Sequence, residues 1–246
     1  RDLHVRSRRQ RQMCIRDRFG LIDIDGEEIE SGLIIFDELV KTISFNNIKS
    51  KPIPSWFRGF SAPINLSSEL SIQNKIYIAS SDTDPFNRWD SAQSLWLEYI
   101  LNPDQVIEKD LFQMIKNLIN NESDYSLLSE MISLPSEQII HQNVGKINVQ
   151  QVHNQRSQSI LSIASTFKDE LLELYDQLNA PKAFDLSTQS IGERALKNKC
   201  LSYLSKLGEY DIAYQQFIKA ECMTDQFGAF QCLLDSENPY RADVIT

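Results

Sequence analysis

Residues 51–66 read KPIPSWFRGFSAPINL, and the chain changes character across them. Before this stretch apolar residues tend to alternate with polar ones, the period of a strand. After it they recur every three or four residues, the period of a helix. Pro52 and Pro54 fix two backbone angles and disfavour helix in the residues before them. KPIPS is therefore expected to be an extended connector, and Trp56–Phe60 a last short strand.

Working backwards, FGLIDIDGEEIES (residues 19–31) sets apolar residues around an Asp25-Gly26 step, a hairpin signal. GLIIFDELVKTISFNNI (residues 32–48) follows, rich in β-branched and aromatic residues. In it Val40, Thr42 and Ser44 alternate with Lys41, Ile43 and Phe45, a two-faced strand. Three or four strands within residues 19–66 bury too little apolar surface to stand alone. They are expected to be the end of a small β-sandwich domain whose earlier strands are absent.

Working forwards, residues 67–246 are expected to be helical. One helix opens at Ser68-Glu69-Leu70 and runs through Ala79. Asp84 is placed to cap the next, with Pro85 at its first position, where a missing N–H costs nothing. In DPFNRWDSAQSLWLEYI (residues 84–100), Trp89, Ala92, Leu95, Trp96 and Tyr99 share one wide face. Further helices are expected at 104–120 and 123–133, then a short one capped by Ser136. Residues 148–175 form one long helix, residues 192–207 another closed by Gly208, and 211–222 and 225–234 complete the run. The fold class is mainly α: a truncated β-sandwich segment, then an antiparallel helical bundle or α-solenoid-like domain. No repeat of fixed period is visible, which speaks against a repeat family.

The net charge of −9 and pI near 4.9 argue against general nucleic-acid binding, which needs clustered cations. No apolar run approaches the roughly 18 residues of a membrane span. Charge is uneven: residues 1–18 hold seven arginines against two aspartates, a balance of +5, leaving −14 for the rest. Three readings are open for this Arg-rich tail: a nucleic-acid or targeting arm, a disordered native tail, or a non-native stretch. The third is preferred, because QRQMCIRDR resembles translated sequencing-adapter sequence.

His4, His141 and His153 show no H-E-x-x-H spacing, in which two histidines four apart on a helix converge on one metal. They are read as solvated residues. Cys14, Cys200, Cys222 and Cys232 match no C-x-x-C pattern and are read as structural thiols in a reducing compartment. There is no G-x-S-x-G elbow, G-x-G-x-x-G or P-loop. Asp23-Ile24-Asp25-Gly26-Glu27 lacks the ligand spacing of a calcium loop and is read as a turn. The adjacent pairs Glu27-Glu28 and Asp169-Glu170 are read as solvated faces. Trp56, Trp89 and Trp96 are read as core or interdomain anchors. No catalytic, cofactor-binding or metal residue is assigned.

Four blocks carry a resemblance over residues 19–246. KPIPSWFRGFSAPINL resembles the junction between the β-sandwich and helical domains of the bacterial aminopeptidase N (alanyl aminopeptidase) family of zinc metallopeptidases. DTDPFNRWDSAQSLW (82–96), RALKNKCLSYL (194–204) and AECMTDQFGAF (220–230) are similar to later family blocks in the same order. The resemblance implies a four-domain parent whose zinc, held by an H-E-x-x-H helix and a distant Glu, lies upstream of this chain. It implies that the piece in hand is the non-catalytic β-sandwich and helical part that encloses the active site. It would bind no zinc itself and be inactive alone. Substrate-facing side chains are expected mostly past residue 246. Implied partners are peptide substrates and the missing catalytic domain of the same chain, with no nucleic acid and no membrane, in the cytoplasm. The alternative is a stand-alone helical protein- or peptide-binding module without catalysis.

Overall fold

The computed structural model describes residues 3–5, 15–23, 27–36, 38, 41–46, 48–49, 51–61, 66, 70–102, 107–143, 148–180 and 184–245. They divide into two compact units, residues 1–95 and 96–246.

The first unit carries the β-structure. Strand β1 is Leu3–Val5, β2 Ile15–Ile22, β3 Glu28–Phe36, β4 Lys41–Ile43 and β5 Ile53–Ser55. All pairings are antiparallel, β1 with β4 and a three-stranded sheet in the order β3-β2-β5. The expected hairpin forms: β2 and β3 pair from Ile15↔Phe36 to Ile22↔Glu28, with Asp23 and Glu27 bonded at its closed end. The Asp25-Gly26 step itself lies outside the described residues. β2 begins at Ile15, so the strand starts inside the Arg-rich stretch 1–18 and Asp17 is buried.

Alternation along β2 points Asp17, Phe19 and Leu21 into the core. There Phe19 packs against Phe45 at 5.5 Å and Trp56 at 6.1 Å between ring centroids. Ile34 and Phe57 complete the cluster, with Ile43 and Phe45 against it. The two-faced reading of residues 41–45 holds, since Ile43 and Phe45 are half-buried while Thr42 and Ser44 are exposed.

The expectations for residues 51–60 are overturned. The connector Ile53–Ser55 is itself a strand, and Trp56–Phe60 is not one: Arg58–Phe60 form a 3₁₀ turn. Pro54 is tolerated because, among the described residues, β5 pairs only with β2 and so lies at a sheet edge.

Helix α1 is Ile72–Ser81, capped by Ser71, which accepts from the Asn74 N–H; the expected opening at Ser68-Glu69 lies outside the described residues. Helix α2 is Pro85–Leu101 with Asp84 as its cap, as expected, and Ala92, Leu95, Trp96 and Tyr99 are buried.

The second unit is helical. It holds α3 (Ile107–Asn121), α4 (Tyr125–Met131), α5 (Glu137–Asn143), α6 (Val149–Thr166), α7 (Lys168–Leu178), α8 (Thr188–Lys206), α9 (Tyr210–Lys219), α10 (Met223–Leu234) and α11 (Arg241–Ile245). Its core is apolar and aromatic, with Trp96, Leu111, Ile115, Leu128, Met131, Leu196, Leu201 and Leu204 buried. The Trp96 indole N–H donates to the Met131 carbonyl at 2.8 Å, which satisfies the one polar atom that the ring takes out of water.

Two expected boundaries fail for identifiable reasons. The long helix 148–175 is broken at Phe167, whose φ of −109° and ψ of 23° leave the helical region. The preceding Ser165 hydroxyl donates back to the Ser162 carbonyl at 3.0 Å, and such back-bonding loosens a helix. The break also seats the buried Phe167 ring 5.4 Å from Phe112.

Helix α8 starts at Thr188, capped by Ser187, and not at Gly192. Gly192 lies inside the helix because α4 passes close. A Cβ there would sit 2.6 Å from the Ser126 hydroxyl oxygen and 2.9 Å from its backbone nitrogen. The far end behaves as expected: Gly208, at φ 90°, donates to Ser205 while Glu209 donates to Leu204, a Schellman closure.

Candidate functional site

The turn Phe57–Phe60 is the most constrained piece of backbone in the first unit. Phe57 (φ 55°), Gly59 (φ 65°) and Phe60 (φ 51°) all occupy left-handed conformations. For the two phenylalanines this costs on the order of 1–3 kcal/mol each and persists only where surrounding contacts enforce it.

Three carboxylates supply that enforcement. Asp17 Oδ1 accepts from the Phe57 N–H at 2.7 Å and more weakly from the Ser61 hydroxyl at 3.5 Å. Burial pushes the Asp17 carboxyl up to about 6, against the lowering effect of those two donors. Asp84 Oδ2 accepts from the Gly59 N–H at 2.7 Å, while its Oδ1 caps α2 by accepting from the Asn87 N–H at 2.9 Å. Asp82 Oδ1 accepts from Arg58 Nη2 at 2.8 Å and from the Asp84 N–H at 2.9 Å. One Asp-x-Asp step therefore ends α1, starts α2 and holds the turn after β5.

Arg58 ties these parts together. It pairs with Glu28 on β3 and Asp82 on the far side, and its Nε donates to Ser55 Oγ at 3.0 Å. Its side chain is 12% exposed and that of Asp82 fully buried, so the ion pair lies in a poorly solvated place where loss of one partner is costly. The guanidinium lies across β2 at Gly20, where a Cβ would meet Arg58 Cζ at 2.3 Å. Asn87 reaches back to Ser55 Oγ at 2.6 Å, and the Phe60 ring packs on Phe86 at 5.0 Å. The arrangement can fix backbone and carry load; it presents no nucleophile and no proton-transfer pair.

Trp56 and Trp96 are core residues, and Trp89 is half-buried beside Phe86 at 5.7 Å. Glu28 is not simply solvated, because the Ser31 hydroxyl and then Arg58 hold its carboxyl below the usual range. Glu170 likewise takes Lys116 at 3.0 Å. His141 and His153 lie on separate helices, and His153 Nδ1 is engaged by Glu137 at 2.8 Å. His4 falls in β1, and Cys14 lies outside the described residues.

Cys200 and Cys232 are buried free thiols, and burial pushes Cys200 up to about 12. Cys222 is half-exposed. Among the described residues no group of three or more His, Cys, Asp or Glu is placed to hold a metal. Zinc would find no set of three ligands among the described side chains. No helix among them is long and apolar enough to cross a membrane.

Sequence reasoning found Asp84 but missed Arg58, Asp82 and Gly20. The available signal was the pairing of Arg58-Gly59 with Asp82-x-Asp84, which has meaning only once the chain folds back.

Two family models match. "Domain of unknown function (DUF3458) Ig-like fold" covers residues 4–69, and "Domain of unknown function (DUF3458_C) ARM repeats" covers 72–246. The second corrects the expectation that no repeat family applies. Here α5 has 7 residues and α8 has 19, so no fixed period survives in the sequence. Aminopeptidase N of Caulobacter vibrioides is 28% identical over 76% of this chain and 22% of its own length. Aminopeptidase N of Escherichia coli is 29% identical over 82% of this chain and 24% of its own. The chain thus spans about a quarter of the curated relatives it matches. The crystal structure of Legionella pneumophila aminopeptidase A in complex with aspartic acid superposes on 99% of this chain and 30% of its own, with TM-score 0.86 and 28% identity. The chain belongs to the DUF3458_C family, which with the Ig-like DUF3458 domain before it makes up the C-terminal part of aminopeptidases of the aminopeptidase N type.

Proposed function

We propose that this chain is the non-catalytic part of a zinc-dependent aminopeptidase that removes N-terminal residues from peptides in the cytoplasm. Residues 19–66, with β2 reaching back to Ile15, would be the end of the β-sandwich domain, and residues 67–246 the first part of the helical domain that encloses the active site. Its partner would be the catalytic domain of the same chain, which would hold the zinc.

The observation that carries this reading is the extent of the match: 99% of the chain superposes on 30% of an aminopeptidase. The strained turn supports it, since a rigid joint between β5 and the first helices is what a scaffold for a distant site requires. No catalytic role is assigned to any residue here. The test is hydrolysis of an alanyl reporter peptide by the purified chain, with and without added zinc. No turnover is expected, and measurable zinc-dependent turnover would overturn the assignment.

A further inference from the structure

A cavity of about 670 Å³ opens in the second unit between the C-terminal end of α7, the first half of α8 and the α9–α10 connection. Pockets of roughly 300–1,000 Å³ commonly hold small organic ligands and short peptides. Among the described residues, five charged side chains line it: Arg194, Lys197, Lys219, Glu221 and Asp225.

Two of these cancel. Lys197 Nζ is 2.6 Å from Asp225 Oδ2, with both side chains about one-tenth exposed. The pair is embedded in a satisfied network, in which Asn198 donates to Asp225 Oδ1 at 3.1 Å and Gln216 to the Asp225 carbonyl at 2.8 Å. Tyr175 in turn donates to Gln216 Oε1 at 3.0 Å. This is a rigid polar floor with little left to give a ligand.

The wall is different. Arg194 donates only to neutral acceptors, the Asp185 carbonyl at 3.1 Å and Ser190 Oγ at 2.8 Å, and its Cζ lies 5.0 Å over the Phe184 ring. Stacking and these two bonds orient the guanidinium without neutralising it. Neither Arg194 nor Lys219 has a carboxylate partner among the described residues. Phe184 is 54% exposed and gives the cavity an aromatic shelf.

We propose that this cavity binds a short peptide through its C-terminal carboxylate, with Arg194 as the anchoring donor, Lys219 as a second cation and Phe184 as a surface for the adjoining residues. A planar guanidinium fork matches a carboxylate in two bonds. Among the described lining residues three cations against two carboxylates leave a balance of +1, which suits one carboxylate rather than a polyanion. The volume exceeds what a lone small carboxylate fills.

Calorimetric titration of the full chain with N-acetyl-trialanine, its C-terminal amide and acetate tests this. The acid is expected to bind saturably, the amide and acetate at least about tenfold more weakly, from loss of a charge-assisted contact or of the shelf. Arg194→Gln is expected to weaken the acid by a similar factor. Lys219→Gln, at an exposed position that leaves packing untouched, should weaken it severalfold and guards against a misfolded Arg194 variant. Equal binding of acid and amide, no saturable binding of the acid, or full affinity in Lys219→Gln would each overturn the proposal. Acetate binding as tightly as the peptide would replace the peptide with a small carboxylate.

Discussion

The turn Phe57–Phe60 and helix α8 are both held in place, for opposite reasons. Helix α8 is held by its own sequence: Ser187 caps it, buried leucines line it, and Gly208 closes it. The turn is held against its own sequence, with two phenylalanines in left-handed backbone and their neighbours tied to Asp17, Glu28, Asp82 and Asp84. Those partners lie 24 to 40 residues away. Local propensity builds the helical unit, and long-range charge builds the joint.

The largest expected loss of stability lies on the helical side. Trp96→Ala removes a fully buried ring and its bond to Met131, and is expected to cost about 3–5 kcal/mol in urea unfolding. On the joint, Arg58→Met leaves the buried Asp82 unpaired and is expected to cost about 3 kcal/mol. Adding Asp82→Asn to it should recover much of that loss. Additive losses would mean that the ion pair does not hold the joint. Gly192→Ala pushes a methyl group into Ser126 and is expected to cost about 1–3 kcal/mol, whereas an ordinary exposed helical glycine gains from the same change.

Asp17 sharpens the contrast through pH. Its folded value of about 6 lies above the ordinary 3.8, so the folded state binds a proton that the unfolded state has released. Stability should therefore fall as pH rises from about 4 to 6 and level off above. Asp17→Asn keeps an acceptor for the Phe57 N–H without the buried charge. It should flatten that slope and gain about 1–2 kcal/mol at neutral pH. A pH-independent unfolding midpoint in the parent chain would show that Asp17 is not buried as an acid.

What was legible in the sequence follows the same division. Asp84-Pro85, the apolar face through Trp96 and Tyr99, and Gly208 are local signals, and each was readable. Gly192 misled because a glycine reads as a boundary, while here it answers to Ser126 on another helix. Phe167 hid a break because its aromatic side chain fits a helical face equally well. Arg58 could not be read because its three partners come from β3, β5 and the end of α1. The cavity beside Arg194 was invisible for the same reason, being assembled from four helices.

If the chain is part of a longer aminopeptidase, the catalytic domain is encoded before it. The most direct measurement is the nucleotide sequence of the gene upstream of the codon for Phe19. An open frame that encodes an H-E-x-x-H helix, read continuously into residues 19–246, is the predicted result. A frame closed by a stop codon there, or one leading into an unrelated domain without that motif, would contradict it.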